Sequence, residues 1–434
     1  MDSIPLVTRA TIDLHYTLLS QIGNLGSTPD GKLKGFCRAP WSDEETKAIC
    51  LVQASARFSG LITLYDAVGN LRIRTPGDHT TVFAVGSHLD TVPNGGNYDG
   101  AAGVIAGLEA IKTLWDARVP LQRGLELIVW RGEESATRGV AYVGSKAATG
   151  TLDPAILTRT WRGSTLAHAM ESQNVDPTFV QQQKQCFPDT GRQYLGYLEL
   201  HIEQGRVLEQ SDIPIGIVTS IFGNKRYWVE LEGQADHSGA TAMNDRKDTH
   251  AAYAAIHMAL EKLYQREGSP TNVVWTNTMF NRGRADFDVL VDENTGNTSV
   301  PGYAYFRFET RSNNNTLGDS YATKALRVIE GTARSRDVIV RIHPDSSTPA
   351  LEQLDISLTK ALKESARYLG YGHTNLPSGG GHDGVVVSSV GIPVGMLFIP
   401  CRNGMSHSPL ELANHEHIAM GANVLAQALY NLAK

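Results

Sequence analysis

Residues 81–100 read TVFAVGSHLDTVPNGGNYDG, and the order of their chemistry decides the fold. Thr81–Ser87 is a short apolar run; His88 and Asp90 follow it at once, and a Pro/Gly-rich loop then leads the chain to Asp99. A helix is expected over Ala101–Ala117 and a second apolar run, LELIVW, occupies Leu125–Trp130. Strand, helix and strand in that order make a βαβ unit with buried parallel strands. The chain therefore contains an α/β domain.

Upstream, residues 8–25 and 43–59 space their apolar positions helically, and Ser42 with Glu45 gives the second helix an N-cap and capping-box signal. Downstream, residues 146–193 are polar and irregular, which predicts helical hairpin or loop material beside the sheet. From Lys225 the rhythm changes. Strands are expected at Tyr227–Leu231, Asn272–Phe280, Tyr303–Glu309 and Val338–Ile342, with helices at Asp248–Gln265 and Tyr321–Ser335, a self-contained α+β unit in split βαβ order. Leu354–Leu369 then returns to an amphipathic helix, and Gly384–Pro400 reads as a buried helix followed by a buried strand at Val394–Ile399. The expected organisation is a discontinuous domain, residues 1–220 with 345–434, interrupted by an inserted one at 221–344.

The composition excludes several classes. With 434 residues, 41% hydrophobic and 19% charged, the chain is neither disordered nor fibrous. Its net charge of -6 and lack of a long basic run argue against nucleic acid or an anionic membrane as partner. Four cysteines without CxxC spacing, and an N-terminus lacking a basic and apolar leader, lead to the expectation of a cytoplasmic protein.

Four segments rich in metal-ligand residue types fall at strand ends or helix entrances, where open α/β sheets carry their sites. They are GSHLDTVPNGGNYDG with His88, Asp90 and Asp99; WRGEESATRG with Glu133 and Glu134; LELHIEQG with His201 and Glu203; and RNGMSHSPLE with His407. Adjacent residues leaving a strand point differently, so one glutamate of the 133/134 pair can ligate while the other faces a reacting water. His201 and Glu203 share one face of an extended segment. The donors are nitrogen and oxygen with no thiolate, which favours zinc, manganese, cobalt or nickel. A carboxylate such as Asp99 can bridge two such ions, and Asp90, two residues past His88, is positioned to accept the other imidazole N–H. Singly, each histidine or glutamate is more often a core or surface residue. Their joint occurrence in one domain is what packing alone does not explain.

These motifs, together with GQADHSGATAM followed by RKD and SGGGHDG followed by MSHSPLE, resemble the M20 peptidase superfamily, specifically its hydantoinase/carbamoylase branch of N-carbamoyl-L-amino acid hydrolases, allantoate amidohydrolases and β-ureidopropionases. The resemblance runs from about residue 35 to the C-terminus and is weak only over 146–193. It implies a zinc-peptidase-like α/β catalytic domain with a mixed sheet flanked by helices, and an inserted ferredoxin-like α+β lid and dimerisation domain.

Carried over residue by residue, the resemblance implies two divalent metal ions, with His88 and His201 on the first, Asp99 bridging, and Glu134 and His407 on the second. Glu133 becomes the general base, and His237 in the inserted domain a catalytic group that can reach a neighbouring protomer's site in a homodimer. Gln204, Gly380, His382 and Arg311 are implied substrate contacts, Arg311 gripping a substrate carboxylate, with Asp383 near the site in the same motif as His382. The chain departs from the family pattern twice: Thr298, beside Asn297, stands where an asparagine contacts substrate, and Glu309 stands where an aspartate precedes the arginine. Both changes concern which substrate is used and leave the metal set intact.

The expected function is hydrolysis of a linear C–N bond, cleaving an N-carbamoyl-L-amino acid or related ureido acid to amino acid, ammonia and CO2. An N-acyl amino acid amidase or a dipeptidase is the alternative within the same chemistry. A non-catalytic scaffold that kept a hydrolase fold is the alternative outside it, and it predicts loss of the base or of a ligand.

Overall fold

A computed structural model of the chain describes residues 4–77, 79–269, 271–280 and 298–434. These residues form two compact units, one built from the chain as far as Ile221 with Gln353–Lys434, the other from Phe222–Glu352.

The first unit is organised on an eight-stranded mixed sheet in the order Ile62–Tyr65, Leu71–Arg74, Gly124–Trp130, Thr81–His88, Gln193–Ile202, Val394–Ile399, Ile215–Ile221, His373–Ser378. Gly124–Trp130, Thr81–His88, Gln193–Ile202 and Val394–Ile399 run parallel. Their residues are buried almost throughout, which is why they read as unbroken apolar runs. The flanking strands were not expected from the sequence. Leu71–Arg74 carries Arg72 into the interior, where Glu126 and Asp189 neutralise it, and that buried charge disguises a strand as surface.

Parallel strands deliver whatever follows them to one edge of the sheet. His88 stands opposite Trp130 and His201 opposite Phe398, so the segments carrying Asp99, Glu133, Glu134 and His407 leave at neighbouring positions. Helices Ala101–Asp116 and His415–Ala433 belong to the core that covers these strands. Gly103 explains how closely the first approaches: a Cβ there would lie 2.1 Å from the Leu200 carbonyl oxygen.

Local signals explain the remaining boundaries. The helix expected over 8–25 is confined to Arg9–Leu19, after which Gly23 turns the chain at φ +71°. Asp43–Phe58 is capped by Ser42, whose hydroxyl accepts from the Glu45 N–H, but the Glu45 carboxylate takes the Trp41 N–H and not that of Ser42. It also accepts from Arg131 Nε and the Gly132 N–H, holding the strand end just before Glu133. Residues 146–193 contain short helices at Leu166–Ser172 and Thr178–Gln181 and a small hairpin of Thr160–Trp161 with Ser164–Thr165.

In the second unit, Gly223–Glu232, helix Thr249–Arg266, Val273–Phe280, Tyr303–Ser312, helix Asn315–Arg334 and Ile339–Thr348 follow one another. The antiparallel sheet has the order Val273–Phe280, Tyr303–Ser312, Gly223–Glu232, Ile339–Thr348, with a core of Val229, Leu231, Phe306 and Phe308 against both helices. The second helix begins well before Tyr321 because Asn314 caps it, accepting the Leu317 N–H at 2.8 Å. Among the described residues no helix is long and apolar enough to cross a membrane.

Because the first core helix has no room for a side chain at its contact with the Leu200 carbonyl, Gly103→Ala is expected to destabilise the protein by about 1–3 kcal/mol. Chemical denaturation measures this, and an unchanged midpoint would mean that the helix can move away at no cost.

Candidate metal centre

His88 ends the second core strand with its ring fully buried. Its Nδ1 lies 3.1 Å from the main-chain oxygen of Asp90 and 3.3 Å from Asp90 Oδ1, which turns Nε2 toward Asp99 Oδ1 at 3.5 Å. The close approach requires a glycine next door: a Cβ on Gly100, at φ +64°, would sit 2.4 Å from that Nε2. The Asp90 carboxylate accepts the N–H groups of Glu133 and Glu134 at 3.1 and 3.0 Å, tying the two acid-bearing segments together.

His201 approaches from the neighbouring strand. Its Nδ1 is 2.9 Å from the Ile202 carbonyl and its Nε2 accepts the Gly100 N–H, so the neutral ring carries its proton on Nδ1. The Nε2 lone pair faces Asp99 Oδ1 at 3.1 Å. His407 stands on the loop after the Val394–Ile399 strand at φ +55°, half-exposed, with Nε2 3.1 Å from Glu134 Oε1 and 3.6 Å from Asp99 Oδ2.

Two donor groups result, His88 with Asp99 and His201, and Asp99 with Glu134 and His407; within each, one donor atom per residue lies within 4.8 Å of the others. Asp99 belongs to both. Glu134 Oε1 is buried with no well-aligned hydrogen-bond donor, its contact being the His407 ring at 3.1 Å, and an imidazole and a carboxylate oxygen facing one another in this way suit a cation. Asp90, Asp99, Glu133, Glu134, Glu199, Asp383 and Glu411 are all buried in this unit. Of the nearby buried guanidinium groups, Arg131 is paired with Glu45, and Arg38 bonds to the neutral Leu89 carbonyl and Asn97 while its charge acts on Asp90 and Glu411. The donor set fits one or two hard or borderline divalent ions.

The electrostatics follow from this crowding. Burial pushes the Glu133 carboxyl well above the ordinary range, and Glu134, Asp383 and Asp90 add to it against the opposing pull of His88. Burial acts to lower His88, but Asp90 and Asp99 outweigh it and hold the ring well above a free imidazole. His407 is likewise raised to about 9, Glu134 more than offsetting the effect of burial. Behind the strands, burial lifts Glu199 to about 7 and Asp383 to about 8.

Gln204 Nε2 donates to Asp99 Oδ2 at 2.6 Å, so its amide bears directly on the shared carboxylate. Gly380 lies against Gln204 Oε1, which a Cβ there would approach to 2.5 Å. His382 packs edge-on against His201 at 4.6 Å and shares a hydrogen bond with Ser378. Glu203 serves structure, accepting the Val207 and Leu208 N–H groups at the start of a short helix.

The other implied residues belong to the second unit. His237 pairs with Ser299 in a two-residue ladder, and its Nδ1 accepts from the Gly239 and Ala240 N–H groups, leaving Nε2–H as a donor on an exposed ring. Arg311 Nε donates to Glu309 at 2.6 Å, and Glu309 also accepts from Arg226. Thr298 is exposed and its carbonyl accepts the Ser238 N–H; Asn297 lies outside the described residues.

Sequence reasoning passed over Ser406, Glu411 and Glu199. Glu199 had a usable signal, since it lies two residues before His201 and so on the same face of the strand, while Leu198, Leu200 and Ile202 point the other way. Ser406 and Glu411 flank His407 in an irregular loop, where spacing says nothing about direction.

The model of peptidase family M20/M25/M40 matches residues 84–431. An N-carbamoyl-L-amino acid amidohydrolase of Geobacillus stearothermophilus is 35% identical over 96% of this chain and 97% of its own length. An allantoate amidohydrolase of Bacillus subtilis is 32% identical over 95% of each. A solved hydantoinase/carbamoylase family amidase from Burkholderia vietnamiensis superposes with a TM-score of 0.84 at 26% identity, covering 100% of this chain and 99% of that one.

The Glu309 result carries a pH dependence. Against the effect of burial, Arg311 and Arg226 hold its carboxyl below the usual value of 4.5, so the ion pairs stabilise the second unit above that pH and the contribution is lost as the pH falls through the depressed value. Glu309→Gln is expected to lower the melting temperature at neutral pH and to flatten its fall in acid. Parallel acid limbs for the two proteins would contradict this.

Proposed function

The chain belongs to peptidase family M20/M25/M40, and from that premise we propose that it is a metal-dependent hydrolase of ureido C–N bonds, acting on an N-carbamoyl-L-amino acid or related ureido acid. The observation that carries the reading is the pair of donor groups joined through Asp99, with Glu133 buried beside them and belonging to neither. Relatives named for N-carbamoyl-L-amino acids and for allantoate support the ureido class.

In this reading His88, Asp99 and His201 hold one divalent ion and Asp99, Glu134 and His407 a second, zinc, manganese, cobalt or nickel. Such ions, when bound, supply a lowered water pKa and polarisation of the substrate carbonyl. Glu133, buried beside both donor groups and belonging to neither, takes the proton of the attacking water. As the new C–O bond forms at the ureido carbon, charge grows on oxygen, and His237 Nε2–H is the donor that can meet it. Glu133 then returns the proton to the amino acid nitrogen, the C–N bond breaks, and the carbamic acid left behind falls apart to ammonia and CO2. Arg311, braced by Glu309, presents a planar fork suited to the substrate carboxylate. Gln204, Gly380, His382 and Thr298 complete the proposed substrate contacts, and Asp90 orients His88. We assign the Phe222–Glu352 unit the part of lid and dimerisation domain in a homodimer, the part in which His237 can reach a neighbouring protomer's site.

Assaying N-carbamoyl, N-acyl and dipeptide forms of one amino acid side by side tests the class. Turnover of the carbamoyl form is expected, and turnover of dipeptides alone would overturn the proposal. Glu133→Gln should keep its metal and lose about 10²–10⁴-fold in kcat, whereas His88→Ala should lose metal. Equal metal loss in both variants, read by elemental analysis, would make Glu133 a ligand and place the base elsewhere.

A further inference from the structure

Glu411 has no place in the mechanism above, yet its carboxylate is buried against the chain that carries the shared ligand. Its Oε1 accepts the N–H groups of Tyr98 and Asp99 at 2.8 and 3.0 Å. Its Oε2 lies 3.1 Å from Ser406 Oγ, and the Ser406 hydroxyl donates to Asp99 Oδ2. Gly96 leaves room for this, since a Cβ there would fall 2.2 Å from the glutamate. Ser406 precedes His407, and Glu411 follows it by four residues on one loop.

We infer that Glu411 is a positioning residue for the bridging carboxylate: it fastens the Tyr98–Asp99 peptide to the loop that bears His407, the loop whose Ser406 hydroxyl donates to Asp99 Oδ2 and aims it toward Glu134 and His407. The inference rests on the metal reading above. Its effect is unequal between the two donor groups. Asp99 is kept beside His88 and His201 without Glu411, because it stands directly before Gly100, the residue that caps the buried core helix Ala101–Asp116 and lies against the His88 ring. His407 lies on a separate loop and reaches Asp99 Oδ2 only at 3.6 Å, so that approach depends on the two loops being held together. Removing the clamp therefore weakens the Asp99–Glu134–His407 site and spares the other.

Titrating Co²⁺ into chelator-stripped protein, followed by calorimetry and by the visible absorption of the bound ion, tests this. The wild type is expected to take two ions per subunit. Glu411→Asp withdraws the carboxylate by one methylene, and Glu411→Gln keeps an oxygen that can accept both N–H groups. In Glu411→Asp the second ion should bind about 10–100-fold more weakly with the first unchanged, the usual cost of losing an outer partner of a ligand, while Glu411→Gln stays near wild type. Ser406→Ala should weaken the second ion and alter its spectrum at an unchanged melting temperature, which separates orientation of Asp99 from general stability. Two wild-type affinities in Glu411→Asp and Ser406→Ala would overturn the inference, as would equal weakening of both ions. A wild type that takes no Co²⁺ would instead remove the metal reading on which it rests.

Discussion

One carboxylate governs the arrangement of the first unit. Asp99 stands between His88 and His201 on one oxygen and Glu134 and His407 on the other, and each of these arrives from a different strand end or loop. A single residue serving two donor groups leaves little positional freedom. Its main-chain N–H is bound by Glu411, its Oδ2 by Gln204 and Ser406, and the following N–H by His201. The local backbone bears the cost: Gln204 and His407 both adopt positive φ, at 57° and 55°, a conformation retained only where the surroundings impose it.

The charge distribution makes the same point from another side. Asp90, Asp99, Glu133, Glu134, Glu199, Asp383 and Glu411 are buried around or behind the candidate centre, with imidazoles, hydroxyls and main-chain N–H groups as their partners. Uncompensated carboxylates in a low-dielectric interior are costly, and they respond by holding protons, as the raised positions of Glu133, Glu199 and Asp383 express, or by holding cations. Such a cluster is poor packing material. It makes sense as a place prepared for positive charge.

The second unit prepares its polar groups by hydrogen bonding. The N–H groups of Gly239 and Ala240 select the His237 tautomer, and Glu309 holds Arg311 and Arg226 together on one sheet. Glutamate at position 309, where the family pattern has aspartate, still reaches the arginine.

The amino-acid order by itself determined the α/β class, the alternation of the second unit and the candidate donors, because buried parallel strands leave continuous apolar runs and because His88, Asp99, Glu134, His201 and His407 directly follow such runs or the loops they open. Tertiary structure alone decided the rest. Leu71–Arg74 can lie buried as a strand because Glu126 and Asp189 neutralise its arginine, and Glu45 turned from its own helix cap to the Arg131–Gly132 segment. Glu411 acquired its place because a loop distant in sequence lays two N–H groups against it. Spacing along a strand or helix fixes the direction of a side chain, whereas in an irregular loop that direction depends on what the rest of the chain packs against it.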